Sequence, residues 1–107
     1  MEALAVLADP IRRRIVELLV DGEVGAGELS DEFPVSRPAV SRHLRVLREA
    51  GLVHARVDGQ RRVYSLDPSP LAELDLWLEP YRRLWAQRLD ALDTELQRGR
   101  DNRRTTT

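Results

Sequence analysis

A chain of 107 residues without a single Cys is sized for one small domain, and it excludes disulfides, thiolate metal sites and thiol redox chemistry. It shows no signal peptide and no 18-residue apolar run, so a soluble, cytoplasmic protein with no membrane partner is expected. The net charge of −1 speaks against a polyanionic partner, but its distribution reverses that: residues 1–35 carry −5, residues 36–66 carry +5, residues 67–97 carry −4 and residues 98–107 carry +3.

In chain order, Met1 to Ala8 reads as the end of a first helix, with Leu4 and Leu7 on one side. Asp9 can cap a second helix, with Pro10 at its first position. Ile11, Ile15, Leu18 and Leu19 form its buried face, and Gly22 ends it. Arg12, Arg13 and Arg14 stand in its opening turns, where pairing with nearby acids is favoured over phosphate contact. Glu23 to Gly27 reads as a connector, and a short third helix follows over about Glu28 to Phe33. Pro34 stops that helix and leads into a tight turn.

Ser36 to Gly51 is the best-marked helix of the chain. Ser36 is a natural N-cap, Pro38 is tolerated in the first turn and Gly51 supplies the left-handed residue at the end. Val40, Leu44 and Leu47 make one apolar stripe. Arg37, Ser41, Arg42, Arg45 and Arg48 occupy the other side, with no acid before Glu49. A solvated helix face normally mixes signs, whereas one that is all positive suits a polyanion, because Arg can grip phosphate or guanine with two donors.

The period then changes. Leu52 to Val57 and Arg61 to Leu66 are two β-type runs joined by Asp58-Gly59-Gln60, a hairpin signal. Leu52, Tyr64 and Leu66 can cover the core, with Arg61 and Arg62 beside the tip. Short helix, turn, cationic helix and basic hairpin together make a winged helix-turn-helix, whose second helix enters the major groove. The Arg pair at the wing then reaches phosphates or the minor groove, the competing reading being charges that blunt an exposed edge strand.

Asp67-Pro68-Ser69-Pro70 reads as a break. Beyond it Leu71, Leu74, Leu78, Tyr81, Trp85, Leu89, Leu92 and Leu96 step by three and four, close to a heptad seam widened by Trp77 and Leu84. Pro80 predicts a kink or two abutting helices. So long an apolar face on so small a domain points to pairing with a second copy, although part of it can cover its own domain. An aromatic ligand pocket formed by Trp77, Tyr81 and Trp85 is the lesser alternative. Residues 98–107 have no apolar anchor, and a disordered basic tail is expected.

The resulting fold class is mainly α with a small β-hairpin. Residues 1–97 form a winged helix-turn-helix domain with terminal dimerisation helices: recognition helix about 36–50, wing about 52–66, C-terminal helix about 70–97. Expected DNA contacts are Ser36, Arg37, Pro38, Ser41, Arg42, His43, Arg45, Arg61 and Arg62. The expected dimer interface is Leu4, Leu7, Leu74, Trp77, Leu78, Tyr81, Leu84, Trp85, Leu89 and Leu92. Two His, no phosphate-binding Gly-rich loop and no nucleophile motif leave nothing to carry catalysis, and no cofactor is expected. The alternative is a winged helix that binds only proteins.

Three segments, Leu7 to Ile15, Ser36 to Val53 and Asp58 to Leu66, resemble the ArsR/SmtB family of bacterial repressors, in order and spacing over about residues 4–67. The segment Trp77 to Trp85 is similar to the C-terminal helix of a metal-independent branch. The resemblance implies a winged-helix homodimer, held by its terminal helices, that represses from a roughly palindromic operator. It also implies that Arg37, Ser41 and Arg42 face bases and that Arg61 and Arg62 lie in the wing. Metal-sensing members carry Cys-x-Cys where this chain has Gly25 and Gly27. The zinc site of other members falls on Pro68, Pro70, Tyr81 and Leu84, none of them a usual zinc ligand. His43 and His54 read as groove-edge donors or surface residues rather than metal ligands. A small-molecule effector is compatible with this reading, and the sequence identifies none.

Overall fold

The computed structural model describes the backbone of residues 1–105 and the side chains of residues 1–100. The chain forms two units, Met1–Leu74 and Asp75–Thr107. The first holds α1 (Glu2–Val6), α2 (Pro10–Leu18), β1 (Val24–Gly25), α3 (Ala26–Asp31), α4 (Arg37–Glu49), β2 (Val53–Asp58) and β3 (Arg61–Leu66); α5 runs over Ser69–Thr105.

Local chemistry sets the helix ends. The Asp9 carboxylate accepts the amides of Ile11 and Arg12 at 2.8 and 3.2 Å, with Pro10 at the first position of α2. Partial burial alone pushes the Asp9 carboxyl upward, but the amides of Arg12 and Ile11, with His43 and Arg12 nearby, outweigh it and hold the group below its ordinary value. Arg12 Nε donates to the Val6 carbonyl at 2.7 Å, closing the end of α1, rather than joining an acid. Arg14 does pair with an acid, Glu17, at 3.3 Å. The second helix ends at Leu18, earlier than Gly22, which follows at φ 143°.

At α4 the Ser36 hydroxyl accepts from the Ala39 amide at 3.3 Å. The far end closes with Gly51 at φ 76°: its amide donates to Arg48, and the Leu52 amide donates back to Leu47, each at 3.0 Å. This is a Schellman motif, sealed by apolar contact between Leu47 and Leu52, both 0% exposed. The cap at the other end yields a first prediction. Ser36→Ala removes the acceptor of the Ala39 amide at an exposed helix start and is expected to cost about 1 kcal/mol of stability by urea unfolding; an unchanged midpoint would count against the cap.

The core of this unit centres on Ile15, Leu19, Leu29, Val40, Leu44, Leu47, Leu52 and Val53, with Tyr64 over it. Val16 is buried beside Ile15 and Leu19, while Ile11 and Leu18 are half-buried. The sheet is antiparallel in the order β1-β3-β2. In the hairpin Asp58 pairs with Arg61, leaving Gly59-Gln60 as a two-residue loop. Gly59 has φ 65° and no non-Gly residue described has positive φ, the pattern of a type II′ turn with glycine first. Strand β1 is an addition to the expected connector. Its two residues, paired as Val24 to Tyr64 and Gly25 to Val63, are too few to show a period.

The expected break over residues 67–70 is shorter than anticipated. Helix α5 starts at Ser69, whose amide donates to Asp67 Oδ1 at 2.9 Å, and Pro70 sits in the first turn, where its missing N–H has no cost. The same carboxylate accepts from His54 Nε2 at 2.7 Å. The amide and hydroxyl of Ser69, then His54, hold the Asp67 carboxyl down at about 2. Stability from these bonds is therefore present above the ordinary value of 3.8 and lost as pH falls through about 2. Asp67→Asn is expected to flatten the stability profile between those pH values; an unchanged acid limb would sink the assignment.

Within the second unit Pro80 lies inside α5, so the helix is not divided in two there. Arg82 spans the proline, donating to the Asp75 carboxylate at 2.6 Å and to its carbonyl at 2.5 Å. The tail expected over 98–107 overlaps the end of α5. Arg98 to Thr105 continue the helix, Arg being a good helix former, and residues 106–107 lie outside the described residues.

Candidate nucleic-acid interface

Helix α4 buries Val40, Leu44 and Leu47 and leaves Arg37, Ser41, Arg42, Arg45 and Arg48 exposed. On the hairpin, alternation places Val53, Ala55 and Val57 with Arg62, Tyr64 and Leu66 on one face, and His54, Arg56 and Asp58 with Arg61, Val63 and Ser65 on the other. The first face meets α4. Pro38, Ser41, Arg42, Arg45 and Arg48 from the helix and Arg62 and Tyr64 from β3 line one open groove.

The partners of the arginines divide the surface. On the outer face of the hairpin Arg56 meets Glu23 at 2.6 Å, Arg61 meets Glu28 at 2.9 Å and His54 meets Asp67. The first of these hydrogen bonds holds Glu23 below, and Arg56 above, their ordinary values. Among the described residues, Arg37, Arg42, Arg45, Arg48 and Arg62 have no ion-pair partner. Several unpaired guanidinium groups along one groove repel each other until an anion lies between them.

Of the expected contacts, Pro38, Ser41, Arg42, Arg45 and Arg62 come together in this groove. Ser36 and Arg37 are exposed at the start of α4, where the Ser36 hydroxyl already serves as the cap. His43 is turned away. Its ring is 21% exposed, and its Nδ1 lies 3.4 Å from Arg12 Nη1 and 4.0 Å from Asp9 Oδ1. Arg has no acceptor, so Nδ1 accepts and the proton of a neutral ring is on Nε2. Arg61 is on the opposite face from Arg62 and engaged with Glu28. Two groove residues were absent from the expected set. Arg48 continues the i, i+4, i+7 row from Ser41 and Arg45, and Tyr64 is two strand positions from Arg62, so helix and strand periods carried both signals.

A short helix, a turn, a cationic helix and a wing that closes one groove with it define a winged helix-turn-helix DNA-binding domain. Known proteins carry the assignment further. The family described as "Bacterial regulatory protein, arsR family" matches residues 9–55. The chain is 53% identical over 83 residues to the HTH-type transcriptional regulator Rv2034 of Mycobacterium tuberculosis, covering 78% of this chain and 75% of that one. It is 35% identical over 72 residues to the transcriptional repressor SdpR of Bacillus subtilis, covering 67% and 80%. The crystal structure of a "Possible transcriptional regulator for arsenical resistance" superposes with a TM-score of 0.69 at 47% identity, over 81% of this chain and 96% of that one. The chain belongs to the arsR family, and it is a DNA-binding transcriptional regulator, not an enzyme. No helix among the described residues is long and apolar enough to cross a membrane.

Proposed function

We propose that this chain is a homodimeric repressor that binds a palindromic operator and works without a metal. The observation that carries the DNA contact is the groove of unpaired arginines on α4 and β3, beside a hairpin face whose basic groups are all matched by acids. Arg42 and Ser41, at the middle of α4, read base edges; Arg45, Arg48 and Arg62 hold phosphates, and Arg37 adds to the helix start. Arg bound to guanine by two donors is the commonest specific contact, whereas phosphate contacts fix position without reading sequence.

The dimer reading rests on apolar exposure. Along α5 Trp77, Tyr81, Leu84, Trp85, Leu89 and Leu92 are 42 to 65% exposed, and Leu96 follows at 56%. Trp77 and Tyr81 stand with ring centroids 4.9 Å apart. Leu74 and Leu78 are half-buried; on α1 Leu4 is 46% exposed, while Leu7 packs partly on the core. A contiguous apolar face of this size on a small protein marks an interaction surface. A two-fold dimer sets its recognition helices roughly 34–36 Å apart, one turn of B-DNA. The metal-free reading is supported by Gly25 and Gly27, which offer no ligand side chain. An effector, if the repressor answers to one, is then a small molecule of another kind.

The test is fluorescence anisotropy of the protein with its own upstream promoter DNA, titrated against salt and random-sequence competitor. Binding that survives competitor and weakens steeply with salt supports the proposal, since counterion release marks phosphate contact. Weak or salt-insensitive binding overturns it and gives the lead to a protein-interaction module.

A further inference from the structure

We infer that Glu28 and Gly25 together hold Arg61 away from DNA and so restrain the protein's affinity for sequence it does not read. The inference rests on the DNA-binding reading above. Arg61 and Arg62 are adjacent in sequence but point to opposite faces of β3. Arg62 is unpaired in the groove, whereas Arg61 Nη2 donates to Glu28 Oε1 at 2.9 Å.

Gly25 makes the room for that contact. A Cβ at residue 25 would lie 2.8 Å from Arg61 Nη2, so the exposed tip of the arginine would have to shift away from it. The backbone there is ordinary extended chain, φ −72° and ψ 153°, so no left-handed conformation calls for glycine. What the glycine supplies is the missing side chain on which the guanidinium rests. Arg61 and Glu28 are 65 and 66% exposed, so their pairing is weak and reversible. A phosphate must first displace that carboxylate, and it binds the guanidinium more readily once the pair is broken. Every arginine so freed adds affinity for all DNA alike and lowers the margin by which the operator is preferred.

The experiment measures binding to a random-sequence duplex as a function of salt. The chains compared are the unaltered protein, Gly25→Ala, Glu28→Gln, Arg61→Ala and the Glu28→Gln/Arg61→Ala double variant. Gly25→Ala changes no charge, so it separates release of Arg61 from the simple loss of an acid. Both single releases are expected to raise affinity about two- to tenfold at low salt and to steepen the log–log salt slope by about 0.9. The gain should vanish in the double variant, and Arg61→Ala alone should leave the slope as it was.

A flatter slope in Arg61→Ala means that Arg61 already binds phosphate and overturns the inference. A gain that persists in the double variant overturns it too, as a general charge effect. If Gly25→Ala melts early, the Glu28 pair of variants decides alone. Salt-dependent binding by the unaltered protein with no change in either release variant rejects the restraint and spares the DNA reading; no salt-dependent binding at all rejects both.

Discussion

Trp85→Glu is expected to turn the proposed dimer into monomers and to weaken operator binding by about two to four orders of magnitude. Trp85 is 56% exposed at the middle of a row that includes Tyr81, Leu84, Leu89 and Leu92. If a second copy covers that row, the substitution buries a carboxylate with no partner, a cost that a single helix seam does not offset. DNA affinity falls with it, because each monomer then binds one half-site without the effective concentration that the other supplies. Leu76→Glu is the matched control. Leu76 is 74% exposed but lies off the row, so its substitution should leave the dimer intact. Sedimentation of both variants decides, and an intact dimer for Trp85→Glu refutes the interface.

Arg42→Ala is expected to weaken operator binding by about 1–3 kcal/mol and to relax preference at one base pair in each half-site. Arg42 stands on the exposed face of α4, lines the groove and has no ion-pair partner among the described residues. Its guanidinium therefore enters the complex without first breaking a contact within the protein. Arg62→Ala makes the contrast: as a phosphate contact it should lower affinity evenly across sequences and reduce the salt slope by about 0.9. A site-variant binding series separates the two patterns. Unchanged base preference in Arg42→Ala would remove it from the reading set.

Both major helices of the DNA-binding unit were legible because their ends are written in local chemistry: Asp9 and Pro10 for α2, Ser36 and Gly51 for α4. The hairpin was legible from alternation and from Gly59. Strand β1 was hidden because two residues show no period and its pairing is with residues some forty positions on.

The site was legible as a set of charges but not as a set of partners. His43 looks like a groove donor by its place among arginines, and only the approach of α2 turns it toward Arg12 and Asp9. Glu23 reads as an acid of a connector and Glu28 as the start of a short helix, and only the fold brings them to Arg56 and Arg61. Pairings of this kind depend on long-range contacts, which no local pattern specifies.

The strand register at the wing has an evolutionary consequence. Adding or removing one residue within β3 after Arg62 would exchange the outward and inward sides of every side chain from there to the tip. Arg62 would leave the groove, and its neighbour would take its place facing the helix. Homologues should therefore tolerate wings that lengthen by pairs of residues and should seldom show a change by one. Parity of hairpin length, rather than the identity of the turn, is the constraint that this register predicts.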